Sequence, residues 1–143
     1  MATLFYNNGK KLLINGGIDL DTDTIKVSLH SSSYTPDIDA HDFFDDLTNE
    51  VSTSGSYTAG IAGGITLANK AVTADNTNNV GKFDADDAVV TTFTGTARWA
   101  VLRKDTGVAG TSALIVAIDL TSVSTTAGTL TITWSSSGII NLA

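Results

Sequence analysis

Thr94–Leu120 reads "TGTARWAVLRKDTGVAGTSALIVAIDL". Two apolar runs flank "KDTGVAGTS", whose Asp, Gly and Ser residues suit a chain reversal, so the stretch predicts a β-hairpin. In the first run Trp99 and Val101 alternate with Ala100 and Leu102; in the second, Leu114–Ile118 is apolar without a break. An unbroken apolar strand belongs where both sheet faces are covered, which places the hairpin at the centre of a sheet.

Upstream, "TIKVSL" at Thr24–Leu29 sets Ile25, Val27 and Leu29 on one side and Lys26, Ser28 and His30 on the other. Strict alternation predicts a strand with one wet face. Ile65–Leu67, Ala71–Thr73 and Val89–Thr92 are further short β-prone pieces, separated by the turn-rich "ADNTNN" and "FDADD". Downstream, charged side chains stop at Asp119, and Leu120–Ala143 is mostly Ser, Thr, Gly and aliphatic residues around Trp134. Within it "TLTITW" directs Leu130, Ile132 and Trp134 one way and Thr129, Thr131 and Thr133 the other. A core strand explains this; packing of part of it on a neighbouring subunit is the alternative, because interface cores are depleted of charge. Trp99, Leu130, Ile132, Trp134, Ile139, Ile140 and Leu142 are the expected packing or assembly residues.

The expected fold is all-β, an antiparallel β-sandwich or β-barrel forming a single domain over residues 1–143. At most one short helical turn is expected near residues 39–47, where Asp39 could cap a turn carrying Phe43, Phe44 and Leu47. The acid of the chain is nearly all Asp, with Glu50 its one glutamate, and Asp favours turns over helix interiors.

Composition narrows the function classes. A formal net charge of −7 over 143 residues opposes nucleic-acid binding, which depends on Lys and Arg neutralising phosphates. With Cys at 0, disulfides and thiolate chemistry are excluded. No apolar run approaches the ~20 residues of a membrane span, and "MATLFYNNGKKLLINGG" lacks the apolar core of a signal peptide. Neither a membrane nor a nucleic acid is an expected partner.

Candidate chemistry is thin. "EVSTSGSYTAGIAGGITLAN" at Glu50–Asn69 is glycine-rich, but Gly63-Gly64 is followed by Ile65-Thr66 rather than Lys-Ser/Thr, and by a β-prone segment. A phosphate loop needs that Lys and a helix whose N-terminus faces the anion, so these glycines are expected to bend the chain. "DLDTDT" places Asp19, Asp21 and Asp23 like the opening of an EF-hand, yet Thr24 and His30 stand where its Gly and Glu belong. Solvated turns are the preferred reading of these three and of Asp84, Asp86 and Asp87; a looser calcium site is the alternative. His30 and His41 are the two histidines, and neither Gly-x-Ser-x-Gly nor His-Glu-x-x-His occurs. His30 reads as the wet side of a strand and His41 as part of a surface loop, with no catalytic residue and no cofactor expected. Trp99, Trp134, Tyr34 and Tyr57 could stack on a sugar, but aliphatic neighbours favour core packing for the two tryptophans. Arg98 and Arg103 are expected to pair with the excess acid.

The order of these pieces resembles small virion-associated proteins of tailed bacteriophages, of the capsid decoration (cement) type. The resemblance runs through "IDLDTDTIKVSL" at Ile18–Leu29, "YTPDIDAHDFFDDL" at Tyr34–Leu47, "NEV" at Asn49–Val51 and Tyr57 with its following glycines. It continues in "TARWAVLRKDTG" at Thr96–Gly107, "LIVAIDL" at Leu114–Leu120 and "TITWSSSGII" at Thr131–Ile140. Here Ser56 precedes Tyr57 where the family pattern has Gly, and the paired glycines come later, at Gly63 and Gly64. The resemblance implies a non-enzymatic structural protein on the capsid exterior, assembled in the host bacterial cytoplasm. Its implied partners are the major capsid protein and further copies of itself, with a trimer favoured. A head–tail connector or tail-associated protein and a carbohydrate-binding β-sandwich module are the alternative functions.

Overall fold

A computed structural model describes residues 2–143. Eight strands are β1 (Thr3–Phe5), β2 (Ile25–His30), β3 (Ile65–Thr66), β4 (Ala71–Asp75), β5 (Val80–Asp84), β6 (Ala88–Lys104), β7 (Leu114–Ile132) and β8 (Ile140–Leu142). They form two antiparallel sheets, in the orders β1-β7-β6-β2-β3 and β4-β5-β8. Neither sheet closes into a barrel, so the all-β fold is sandwich-like.

The β6–β7 hairpin is central, as its apolar runs predict, and extends well beyond Thr94–Leu120 at both ends. Val101 pairs with Ala117 and Leu102 with Val116, and all four are fully buried. Adjacent residues of a strand face opposite sides, so both faces of the sheet are covered here. One face meets the main core, with Leu102, Val116, Phe93 and Leu130; the other meets a smaller cluster of Tyr6, Tyr34, Val101, Leu114 and Ala117.

Farther from the turn the ladder slips between Val90 and Phe93, Phe93 and Gly95, and Ala97 and Trp99. Near these slips Thr92, Thr121, Ser122 and Ala127 hold φ of 54°, 60°, 65° and 46°. Left-handed backbone disfavours a side-chain-bearing residue by about 1–2 kcal/mol. These bulges re-aim the ribbon, and Thr121–Thr129 emerges largely exposed rather than in the core. The uncharged C-terminal segment is therefore divided. Leu130, Ile132, Trp134, Ile139 and Ile140 are buried and Leu142 is exposed; Trp99, on β6, is half-buried.

Two expectations are corrected. At most one short helical turn, near residues 39–47, was expected; a 3-10 turn does occupy Phe44–Asp46, but a second spans Ala109–Thr111 and an α-helix, α1, spans Asn7–Ile14. Its "NNGKKLLI" opens with poor helix formers, and packing overrides that propensity. Leu12 and Leu13 reach the core, while Gly9 lies on β7 so closely that a Cβ there would sit 2.4 Å from the Leu114 carbonyl oxygen. The 3-10 turn is held by Asp46 rather than Asp39: its carboxylate accepts the backbone N–H groups of Asp42 (2.8 Å) and Phe43 (3.0 Å).

The second correction concerns β2. Ser28 and His30 were expected on a wet face, and both are fully buried. The segment after β2 folds back over that side: Ser31 N–H donates to Asn49 O, and the Tyr34 ring lies 5.0 Å from the His30 ring. Alternation distinguishes polar from apolar, and here the polar face is roofed by other polar groups.

Candidate functional site

The polar side chains with chemical capacity gather in two places flanking β2. The first is built from Ser28 and His30 on one side of the strand. His30 Nδ1 lies 2.8 Å from the Thr48 carbonyl oxygen, which can only accept, so Nδ1 carries a proton. Nε2 is then the acceptor for the Ser28 hydroxyl, 2.9 Å away. This is the spacing and polarity of a nucleophile–base pair. Both members, however, are out of contact with solvent.

Tyr34 covers His30 and links onward. Its hydroxyl is 3.0 Å from His41 Nδ1, which also accepts the Asp37 N–H, and 2.7 Å from the Tyr6 hydroxyl. Burial pushes the Tyr34 phenol up to about 12, and burial with the Tyr34 hydrogen bond raises that of Tyr6 farther. Tyr6, Tyr34 and His41 thus form a chain of hydroxyls ending on a half-buried imidazole.

Burial also holds His30 below the usual imidazole range, against the Thr48 contact that acts in the opposite direction. A depressed folded-state value means that the unfolded chain takes up the proton first as pH falls. Stability from His30 is complete above the ordinary imidazole value, near 6.5, and declines below it. Urea unfolding should give a smaller free energy at about pH 5.5 than at about pH 7.5, and His30→Gln should flatten that slope. Equal slopes in the two proteins would contradict a neutral, buried His30.

The second gathering holds the glycine-rich loop. Tyr57 donates to Glu50 Oε1 (2.7 Å) and accepts the Leu29 N–H (2.9 Å), joining the loop to β2. Glu50 Oε2 accepts the Gly60 N–H at 2.9 Å. The chain's own carboxylate therefore occupies a backbone donor of the kind a phosphate would use. Gly64 N–H and Gly63 N–H turn back onto the Thr58 and Gly60 carbonyls, and the short strand β3 follows instead of a helix. Gly55, Gly60 and Gly64 adopt φ of 57°, 92° and 84°, so this loop bends by left-handed turns. At Gly63 an added Cβ would stand 1.8 Å from the Thr58 carbonyl oxygen. Gly63→Ala should lower the unfolding free energy by about 1–3 kcal/mol through overpacking, measurable as a shift of the urea midpoint.

Arg103 on β6 fixes the far side of this loop. Its side chain is fully buried, with Nη2 donating to the carbonyls of Ile61 (3.2 Å) and Gly63 (3.1 Å) and the guanidinium 4.3 Å from the Phe44 ring centre. Asp105 lies 3.7 Å from Nε and also pairs with Lys26 at 3.1 Å. Burial lowers the Arg103 pKa, and Asp105 and Glu50 oppose that shift. Arg98 pairs with Asp119 through two parallel contacts, one of 2.6 Å, which hold the Asp119 carboxyl below the usual carboxylate range.

The acidic turns are engaged locally. Asp19 Oδ1 accepts the N–H groups of Asp21 and Thr22, and Asp23 Oδ2 accepts that of Asp19 and pairs with Lys104 at 2.9 Å. Asp84 pairs with Lys82, Asp86 accepts from Asn69, and Asp87 accepts the Trp134 N–H. Among the described residues no group of three His, Cys, Asp or Glu side chains is arranged to hold a metal ion. Tyr34, Tyr57 and Trp134 are buried and Trp99 is half-buried beneath the Arg98 guanidinium, so these four present no exposed aromatic row. Two surface depressions, of about 400 Å³ beside Asp75, Asn78 and Ser136 and about 360 Å³ beside Leu13, Leu20, Val72 and Leu142, contain neither histidine.

No family model, curated protein or solved structure matches this chain. No helix among the described residues is long and apolar enough to cross a membrane.

Sequence reasoning singled out His30, His41, Tyr57 and Arg103 separately but not their connections. Tyr6 was missed altogether. The signal that could have found it is a lone aromatic between a β-prone "TLF" and the polar "NNGKK", where a phenol bridges core and loop.

Proposed function

We propose that this chain is a non-enzymatic structural protein of a tailed-phage virion, one that binds the outer capsid shell and stabilises it. The carrying observation is the direction of its polar groups. Among the described residues, the one serine–histidine pair of nucleophile geometry is sealed inside, while a charge-free Ser/Thr-rich segment, Thr121–Thr129, faces out. Sealed polar groups support order rather than turnover, and an uncharged surface on a chain of net charge −7 is where a partner can approach without desolvating ions. The partners in this reading are the major capsid protein and further copies of the chain, with a trimer favoured by the family resemblance. Its place is the capsid exterior, reached after synthesis in the host bacterial cytoplasm.

Stabilisation would follow mass action: a protein that binds the assembled shell and not its dissociated subunits raises the shell's apparent stability. A lasting contact of this kind buries ~1,200–2,000 Å² in total. The test is to strip the protein from particles that carry it, add back the purified chain, and record the temperature of DNA release. Restored heat resistance, with density on the shell in cryo-electron micrographs, is the expected result. Density at the neck or tail would support the head–tail reading instead, and no particle binding would overturn both.

A further inference from the structure

We propose that the outer edge of β7, Thr121–Thr129, is where copies of this chain join, by main-chain strand pairing. The inference deepens the self-association in the reading above.

The two edges of the β6–β7 ribbon are treated differently by the fold. Along β6, the turn at residues 54–57 closes the edge at Thr91–Thr94: Ser56 N–H donates to Thr91 O, and the hydroxyls of Ser56 and Ser54 accept the N–H groups of Thr91 and Thr94. Gly55 permits this closeness, since a Cβ there would lie 2.1 Å from Thr91 O. Along β7, β1 covers Val116–Ile118, and the Asp119 N–H reaches Ala2 O. From Thr121 to Thr129, among the described residues, the backbone hydrogen-bonds to no strand but β6, and the segment is largely exposed. That is roughly 30 Å of open edge. The outermost strands elsewhere are short: three residues in β1 and β8, two in β3, five in β4.

Open edges are ordinarily guarded by charged side chains, proline or bulges. This one has neither charge nor proline, while the chain carries eight Lys and Arg, fifteen Asp and Glu, and one Pro elsewhere. Bulges, the one guard present, lie at Thr121–Ser122 and Ala127 and leave Val123–Thr126 and Gly128–Thr129 uncovered.

Charge selects the occupant. Two copies of net charge −7 repel, so they meet stably where each is neutral, and Leu120–Ala143 is such a stretch. Ser and Thr also suit pairing with themselves, as the 2.7 Å contact between the Thr96 and Ser124 hydroxyls across β6 and β7 shows. A two-fold contact sets β7 against β7; a closed ring sets it against a different edge of the next copy.

The experiment is sedimentation velocity on the full chain and on Thr126→Asp/Thr129→Asp, both positions exposed, with amide hydrogen exchange on each. The wild type should sediment as an oligomer and the double variant as a monomer with an unchanged circular dichroism spectrum. Edge amides of residues 121–129 should exchange at least about tenfold more slowly in the wild-type oligomer. If the variant fails to fold, wild-type exchange at low and high micromolar concentration decides the matter, with protection of the edge expected only at the higher. A monomeric wild type, or an oligomer whose β7 edge exchanges freely, overturns the proposal. A monomer that still restores heat resistance to stripped particles overturns the edge contact alone. An oligomer that ignores particles overturns the capsid reading alone.

Discussion

Trp134→Ala should lower the unfolding free energy by about 3–5 kcal/mol, the range for truncating a buried aromatic. The indole is 7% exposed, belongs to the main core, and donates Nε1–H to the Asp86 carbonyl at 2.9 Å. Its backbone N–H meets the Asp87 carboxylate at 3.1 Å, so the residue fastens the chain beyond β7 to the start of β6. Trp134→Phe keeps most of the packing and loses the Nε1–H contact, and should recover more than half of the deficit. A loss below about 0.5 kcal/mol for the alanine variant, the range of a surface substitution, would contradict burial. Chemical denaturation followed by far-UV circular dichroism measures both.

The second large effect is expected at Arg103. Arg103→Ala should destabilise by about 3–5 kcal/mol, as when one member of a buried ion pair is removed. It leaves the Ile61 and Gly63 carbonyls without their donor, uncovers the Phe44 ring, and weakens the setting of Asp105, which keeps Lys26. Arg103→Met should cost about 1–3 kcal/mol less than the alanine change, because it fills the space and carries no charge to bury. Equal losses in the two variants would mean that the guanidinium contacts, rather than the volume, set the whole effect. Hydrogen exchange should show the glycine-rich loop at residues 58–64 loosening first, since Arg103 is its anchor on β6.

What could be read from the chain was whatever depends on side-chain period. The hairpin was legible because Trp99–Leu102 and Leu114–Ile118 differ from their surroundings in hydrophobicity alone. The bend in the glycine-rich loop was legible because the lysine of a phosphate loop is missing after Gly64. The helix at Asn7–Ile14 was not legible, since Asn7, Asn8 and Gly9 disfavour helix and the compensation comes from a strand more than a hundred residues away. His30 was misplaced for a related reason. Period 2 assigns it to the polar side of β2, but whether that side is wet depends on where residues 31–50 fold. The candidate site was least legible of all, because its bonds join Tyr6, Tyr34, His41 and Glu50 across loops with no shared pattern.

The placement of β7 also sets a timetable for the nascent protein. Its residues 116–118 pair with Thr3–Phe5, and its inner edge completes β6, so the principal sheet joins segments more than a hundred residues apart. Such distant pairings require long loop closures, and domains dominated by them reach the native state in milliseconds to seconds. Synthesis proceeds at about 5–20 residues per second. Thr3–Phe5 therefore wait several seconds for a partner that the ribosome has yet to make, and β1 can join the sheet only once residue 118 has been synthesised.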